Sequence, residues 1–478
     1  MLKDPPMEVR KTFEKLEKEF PFYIQLRFIN NTYCVYKGTS KWDKVEKKVK
    51  KITEHLGIIK KDGTFKKKIP RYSIHGTSTE VFEYGNCVLA YYFVRDVELI
   101  LKELTSYTEE IIACATIKII DPKPLKLLSS VWGKLYLSND INVSLSPKHI
   151  SGMLKKLGAD VSLWYRLFTK LIDKDDILLY DLTKLFTYSN NIKIAEMAWN
   201  TKHKYLNQIG MLMAFSSKNT LPIGMEIFPG SMKETKVIRD YRKRYPNTNI
   251  GYIYDRGFTD YNLLDELKED GIHYITPLKK DSEYMDFRWV RFKDPFIYRK
   301  RPILWGKKEC DRGFVYFFED PKVKGEQLTT LLKQVDKGEI DLKQYENKKK
   351  LAGIIGIISD LDKDGPEIYD LYKGREDIEL VFDALNNSID SDRSYLRSVE
   401  GVRGYYFISF IALRVYFKIL RRLREKKITS KYSVGEIVLE LSKIIKIKEK
   451  SGKEYYAKIP AKTENIMKLF PEIFNIPK

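Results

Sequence analysis

A mixed α/β fold is what the 478-residue sequence predicts, and three observations carry that expectation. Short apolar runs rich in β-branched and aromatic residues, the mark of buried strands, recur from Ile177 onward. The stretches between and after them place apolar residues at helical intervals. Two of the strand-like runs end in an aspartate, Asp181 and Asp255, at the edge where side chains leave a sheet for a crevice rather than for packed core. Hydrophobic residues make up 43% and aromatics 13% of the chain, enough for well-packed cores, and the length points to several modules.

The formal net charge is +21 and the sequence pI is about 9.3. An enzyme of small metabolites has no need of that surplus, whereas a polyphosphate backbone attracts it through counterion release. Nucleic acid is therefore the expected partner, ahead of an anionic membrane surface. Cys34, Cys87, Cys114 and Cys310 lie far apart, without the paired spacing of a zinc site or a disulfide framework, which points to a reducing, intracellular setting. His55, His75, His149, His203 and His273 show no ligand-like spacing, which argues against a histidine metal site or a histidine base. No N-terminal stretch resembles a signal peptide, and the most apolar run, Tyr405 to Leu413, is cut short by Arg414, so a soluble protein is expected.

Taken in order, residues 32–70 open on a strand-like Thr-Tyr-Cys-Val-Tyr-Lys and then carry a dozen lysines. Trp42, Val45, Val49 and Ile52 fall at helical spacing, yet Asp62-Gly63 is a hairpin signal; a small lysine-rich β module is the reading adopted. Its lysines are either a solvated face or, with Tyr33, Tyr36, Trp42 and Phe65 interleaved, a surface for backbone contact and stacking. Further on, Ser146-Pro147 starts a helix whose buried stripe is Ile150, Met153, Leu154 and Leu157, and which Gly158 ends. A second helix carries Leu163, Leu167, Phe168 and Leu171. Joined by a three-residue turn, the two suit either a helix-turn-helix reader of DNA or packing against the elements C-terminal to them.

Those elements begin with a strand through Asp181. A hairpin of two strands (Ile209 to Phe215, Leu221 to Phe228), the strand of Asp255, a helix capped by Thr259 or Asp260, and a fifth strand, His273 to Pro277, come next. This order is the layout of an RNase H-like core, which sets the first and fourth strands side by side so that their carboxylates share a metal pair. Paired carboxylates suit hard, oxygen-loving Mg²⁺, and two ions about 3.5–4 Å apart clamp the attacking and leaving oxygens of a phosphodiester displacement. The third acid is expected from a helix. Tyr372, Arg375 and Glu379 are three, then four residues apart and so share one helical face, offering a ring and hydroxyl, a planar fork for phosphate, and a metal ligand.

These residues give the chain a resemblance to the insertion-sequence DDE transposases of the group-four type. In that family the third acid lies in tyrosine, two residues, arginine, three residues, glutamate, six residues, lysine; this chain has Tyr372, Arg375 and Glu379, with Asn386 in the lysine's place. Tyr-Asp-Arg-Gly-Phe at 254–258 is similar to the family's second-aspartate motif. Leu-Pro-Ile-Gly-Met-Glu-Ile-Phe-Pro-Gly-Ser at 221–231 is similar to its preceding hairpin, with Ser231 for the usual asparagine. The resemblance implies a catalytic and metal-binding trio of Asp181, Asp255 and Glu379, two Mg²⁺ (or Mn²⁺) ions, and DNA contacts from Arg256, Tyr372, Arg375 and Asn386. It further implies terminal inverted repeats and target DNA as partners, a homodimer in the synaptic complex, no membrane, and a prokaryotic cytoplasmic, nucleoid-associated setting. The implied reaction is cut-and-paste transposition: hydrolysis frees a 3′-hydroxyl, which then attacks target DNA. The departures at Asn386 and Ser231 keep open an inactive or domesticated DNA-binding descendant, and a cellular RNase H-like nuclease is a third reading.

The interval from Asp255 to Glu379 is much longer than that between the aspartates, and residues 287–318 are rich in strand formers, so a β-rich insertion is expected before the catalytic helix. It includes Trp289 and Trp305, each suited to the core or to stacking on a flipped base. The expected division is a basic N-terminal DNA-binding module at 1–75, a DNA-binding or supporting helical region at 76–172, the core at 173–280 and 351–428, the insertion at 281–350, and a tail at 429–478.

Overall fold

The computed structural model describes residues 5–43, 48–68, 79–173, 176–187, 191–199, 205–244, 251–254, 260–389, 393–394, 396–449 and 451–474, and the chain divides into two units, 1–79 and 80–478. In the first, α1 (Met7–Glu19) accompanies an antiparallel sheet of β1 (Ile24–Ile29), β2 (Thr32–Asp43), β3 (Lys48–Ile59) and β4 (Phe65–Lys67), in that order. Asn30 and Asn31 take φ of 47° and 62°, a two-residue primed turn that asparagine tolerates and that matches strand twist. At the second hairpin Gly63 takes φ 84° and the Asp62 carboxylate accepts the Thr64 N–H at 2.8 Å. The helical spacing of Trp42, Val49 and Ile52 therefore gives way to strands, in which Trp42 pairs with Val49 and Thr39 with Ile52; Val45 lies outside the described residues. Val9, Leu16, Ile24, Val35 and Ile59 form the core, while Lys60, Lys61, Lys66, Lys67 and Lys68 are exposed.

The second unit opens with β5 (Thr79–Glu83) and five helices: α2 (Gly85–Leu104), α3 (Thr108–Ile120), α4 (Leu128–Trp132), α5 (Pro147–Ala159) and α6 (Val161–Leu171). Then come β6 (Ile177–Thr187), β7 (Glu196–Trp199), β8 (Tyr205–Ser216), β9 (Leu221–Pro229), α7 (Glu234–Arg244), β10 (Gly251–Ile253), α8 (Tyr261–Glu269) and β11 (Tyr274–Pro277). β6, β8 and β9 are consecutively antiparallel, β10 runs parallel to β6, and β11 parallel to β10. With β7 set apart, the five expected strands lie in the order third, second, first, fourth, fifth, which is the RNase H-like arrangement. β6 does not end at Asp181, as the apolar run suggested. Its ladder to β8 extends from Leu178 to Phe186, so Asp181 is a mid-strand residue.

The insertion adds β12 (Lys293–Tyr298), β13 (Arg301–Cys310) and β14 (Gly313–Glu319), then a helical pair, α9 (Pro321–Asp336) and α10 (Leu342–Lys350), and returns through β15 (Ile354–Ser359). These strands extend the core sheet in the order β12-β13-β14-β15-β11 instead of building a separate layer, because β15 pairs with β11 on one side and β14 on the other. Next are α11 (Gly365–Lys373), α12 (Glu376–Asp383), the short β16 (Arg393–Ser394) and the long α13 (Val399–Glu425). Residues 429–478, expected as a tail, instead hold α14 (Val434–Leu441), β17 (Ile445–Glu449), β18 (Glu454–Tyr456) and α15 (Ala461–Met467). β17 joins β5 in a small sheet, and Phe470 is fully buried beside Phe93 of α2. Among the described residues no helix is long and apolar enough to cross a membrane.

α13 is the strut of this unit. α5 crosses it at two glycines: a β-carbon on Gly158 would lie 1.8 Å from the Glu400 carbonyl oxygen, and one on Gly404 would lie 2.0 Å from that of Leu154. Gly158 is thus a close-approach residue and not the terminator the sequence suggested, since α5 continues to Ala159. Only Asp160, in place of the expected three-residue turn, separates α5 from α6, and its side chain caps α6 at the Leu163 N–H. Trp164 stacks on Phe407 at 5.4 Å and Phe168 meets Phe410 at 4.9 Å. The apolar faces of both helices are used on α13, the packing alternative of the two. Because no side chain fits at this crossing, Gly404→Val is expected to destabilise the second unit by about 1–3 kcal/mol or more, read as a fall in denaturation midpoint, while Gly152→Ala on the open face of α5, where an added β-carbon meets nothing within 4 Å, leaves it unchanged or raised.

Candidate active site

Asp181 shares a face of β6 with Leu179, because side chains alternate along a strand. On the opposite face Tyr180 meets Tyr241 of α7 at 5.6 Å and, from the β10 segment, Tyr252 at 4.9 Å and Tyr254 at 5.9 Å. Burial pushes the Tyr180 and Tyr254 phenols well above their ordinary range, so this side is a neutral, packed seam that fixes β10 against β6. The Asp181 carboxylate, half-buried, accepts the Leu182 N–H at 2.9 Å. The chain leaves β10 through Tyr254; Asp255 and Arg256 lie outside the described residues, as does Thr259. At Asp260 it resumes as the cap of α8, accepting the Asn262 N–H at 3.1 Å and pairing with Arg239 at 3.3 Å.

The helix expected to carry the third acid is interrupted. α11 ends at Lys373 and α12 begins at Glu376, with tightened bonds from Arg375 N–H to Tyr372 O and from Asp377 N–H to Gly374 O. Gly374 and Arg375 keep right-handed helical angles, so the three expected side chains still form a contiguous row. The Arg375 guanidinium lies 5.8 Å over the Tyr372 ring and 3.4 Å from the Glu379 carboxylate. Tyr372 is buried, Arg375 half-buried and Glu379 exposed. Asn386 falls in a wider turn over Ala384–Ser388, where the helix unwinds to i→i+5 bonding; its angular register to Glu379 is shifted from that of a continuous α-helix. A β-carbon on Gly374 would rest 3.9 Å from Leu179, which sets the α11–α12 junction on the Asp181 face of β6.

Sequence reasoning missed the brace on this helix. The sheet curls so that β12 and β14 close over α11, with Phe296, Tyr298 and Phe318 rings 5.5, 5.1 and 4.8 Å from Tyr369. The β12–β13 turn is Arg299-Lys300, both at positive φ, 48° and 66°, a conformation that costs non-glycine residues strain and that persists where surroundings enforce it. From it Arg299 forms an ion pair with Glu376 in the first turn of α12; Lys373 meets the same carboxylate at 3.2 Å. Asp377 is held by Arg424 of α13 at 2.7 Å. The only signal for this in sequence was a polar Tyr-Arg-Lys-Arg between two strand-like runs, without the glycine or asparagine that usually marks such a turn.

Residues 173–415 match the family described as the transposase DDE domain, slightly more than half of the chain. The chain belongs to the DDE transposase domain family. Among solved structures it is similar to a piggyBac transposase in a synaptic complex with hairpin DNA, 11% identical over 81% of this chain and 79% of that one, with a TM-score of 0.38; at that score no residue is carried between the two. No curated protein matches the chain.

The matched transposase domain contains Asp181, Asp255 and Glu379. Asp181 and Glu379 offer hard carboxylate oxygens, the donor type that Mg²⁺ takes. Among the described residues no three acid, histidine or cysteine side chains converge as a metal-binding set. In the insertion, Trp305 is buried and Trp289 is 92% exposed, so the two tryptophans part ways: one is core, the other is open to a ligand. At Ser231, the family asparagine's position, the N–H at 2.8 Å and the hydroxyl both go to Glu196, so serine fills a structural turn role there.

Partial burial raises the Glu376 carboxyl, but Lys373 and Arg299 outweigh it and hold it below its ordinary range. A depressed carboxyl stabilises the fold above its unfolded pKa and loses that contribution as pH falls through the folded one. Arg299→Ala is therefore expected to lower stability at neutral pH and to move the acid-unfolding midpoint to higher pH, by circular dichroism, with the difference from the unsubstituted chain vanishing at the acid extreme, where the Glu376 carboxyl is protonated in both.

Proposed function

We propose that this transposase performs cut-and-paste transposition of an insertion sequence, with Asp181, Asp255 and Glu379 as the acids that hold two Mg²⁺ ions at the scissile phosphodiester. The observation that carries the reading is the seating of the α11–α12 junction on β6. From Gly374 the helix advances five residues to Glu379, about 7.5 Å. From Leu179 the strand advances two residues to Asp181, about 6.7 Å. The chain after α12 pairs Arg393 and Ser394 in parallel with Phe186 and Thr187, which supports a course of the helix along β6 toward the end that carries Asp181. Asp255 follows Tyr254, whose ring already lies beside that of Tyr180.

When bound, the ions supply the positive charge that steadies the attacking and leaving oxygens. The chain's own part is positioning. Asp181 is fixed in a strand paired to β8; Glu379 is held by a helix whose first turn is clamped by Arg299, Lys373 and Arg424. Arg375, kept beside Glu379 and over Tyr372, offers its planar fork to a phosphate oxygen. Arg256 and Asn386 contribute DNA contacts, with double-stranded terminal inverted repeats and target DNA as partners and a homodimer as the synaptic unit.

The test is cleavage of a duplex bearing the inverted repeats that flank the reading frame, in Mg²⁺. Asp181→Asn, Asp255→Asn and Glu379→Gln are each expected to reduce cleavage to background while leaving end binding within about threefold; cleavage surviving in any of the three removes that residue from the trio. If the wild-type chain binds ends but never cuts them, the domesticated reading replaces this one. Trp289→Ala is expected to weaken binding of the cleaved end by roughly 5- to 150-fold, the worth of one stacked base at about 1–3 kcal/mol, measured by fluorescence titration. Asn386→Lys is expected to steepen the salt dependence of end binding by about 0.9 in log–log slope, one added phosphate contact.

A further inference from the structure

A second surface of the larger unit is used by none of these roles. Between the turn after β9 and α7 lies an open groove of about 720 Å³, lined by Ser231, Lys233, Lys236 and Lys243, together with Glu196 and Asp240. Lys233, Lys236 and Lys243 are exposed and stand three and then seven residues apart, one stripe on the helix about 15 Å long. The cations of this segment divide into two sets. The arginines are all engaged: Arg239 with Asp260 and Glu266, Arg242 with Asp270, and Arg244 with Glu226. Among the described residues the three lysines have no ion pair, although the two acids share their groove. Glu196 is taken up by the Ser231 N–H and hydroxyl. The Arg239–Asp260 pair ties this helix to the residue directly after the segment that carries Asp255.

With the arginines consumed in holding the helix, the lysines are the open charges of the stripe, and exposed point charges meet phosphates without regard to sequence. We propose that the lysine stripe of α7 holds the phosphodiester backbone of duplex DNA running away from the active centre, without reading its sequence. This rests on the transposase reading above and adds to it where the flanking duplex lies.

The experiment is binding of the full-length chain to two duplexes of equal length, one with the inverted repeat and one without, in chelator so that no cutting occurs, across a salt series. The variant is Lys233→Gln, Lys236→Gln and Lys243→Gln together; a control of equal charge change is Lys453→Gln, Lys458→Gln and Lys468→Gln in the C-terminal segment, all exposed. Three lost contacts at about 0.9 each lower the log–log salt slope by about two to three on both duplexes, and the control leaves it unchanged. An unchanged slope, an equal fall in the control, or a fall on the inverted-repeat duplex alone overturns the proposal. If the triple variant melts early, the three single variants replace it, each expected to lower the slope by about 0.9. A wild-type chain that still cuts its ends in Mg²⁺ while the groove variants bind normally refutes the groove alone; a wild-type chain that cuts nothing refutes the transposase reading itself.

Discussion

β6 is hydrogen-bonded to β8 over nine residues on one side and to β10 on the other, and this double pairing sets what its two faces can do. A strand held on both edges cannot rotate, so its even-numbered residues are committed to one face and its odd-numbered residues to the other. Tyr180 goes into a ring-packed seam with α7 and β10; Leu179 and Asp181 face the α11–α12 junction. A one-residue slip would put tyrosine at the helix and the carboxylate into the tyrosine seam, where an ionised group has no partner. The buried tyrosines on one face thus hold the register that commits Asp181 to the other.

The other half of the candidate site depends on a helix that could not hold its own position. α11 and α12 are short and broken at Gly374-Arg375, and tertiary packing supplies what propagation along a longer helix would have given. Its supports come from three directions: the curled insertion strands pack Tyr369, the strained Arg299-Lys300 turn reaches Glu376, and α13 reaches Asp377 through Arg424. Inserted sequence in a core is tolerated when it closes on itself; here it closes on α11, through the rings around Tyr369.

α13 carries the load between the helical region and the sheet. Its Arg414 is buried, donates to the Pro222 carbonyl, and lies 3.6 Å from Asp96; Lys418 meets the same aspartate at 2.5 Å and the Phe93 carbonyl at 2.8 Å. Burial pulls the Lys418 ammonium down to about 8. Charges this deep persist because each finds an acid or a carbonyl, and together with the glycine crossing of α5 they fix one approach of α2 and α5 to the sheet's supporting helix. A rigid frame of this kind suits a site assembled from elements far apart in sequence.

The sequence alone determined which stretches are strands, the hairpin 209–228, a helix cap at Thr259 or Asp260, the row Tyr372, Arg375, Glu379 and the basic character of the chain, because each is written in local periodicity, capping chemistry or charge. Tertiary structure decided that β6 runs on past Asp181, since a strand's end depends on the length of its partner. It also decided that Gly158 is a contact and not a stop, since both roles ask for the same missing side chain. The insertion's joining of the core sheet, the folding back of residues 434–467 and the turn at Arg299-Lys300 lay equally beyond sequence: each rests on edges, faces and charges supplied by residues distant in the chain. Trp289 and Trp305 put the difference most plainly, since one residue type in one segment has two fates, and only the packing of α11 over Trp305 separates them.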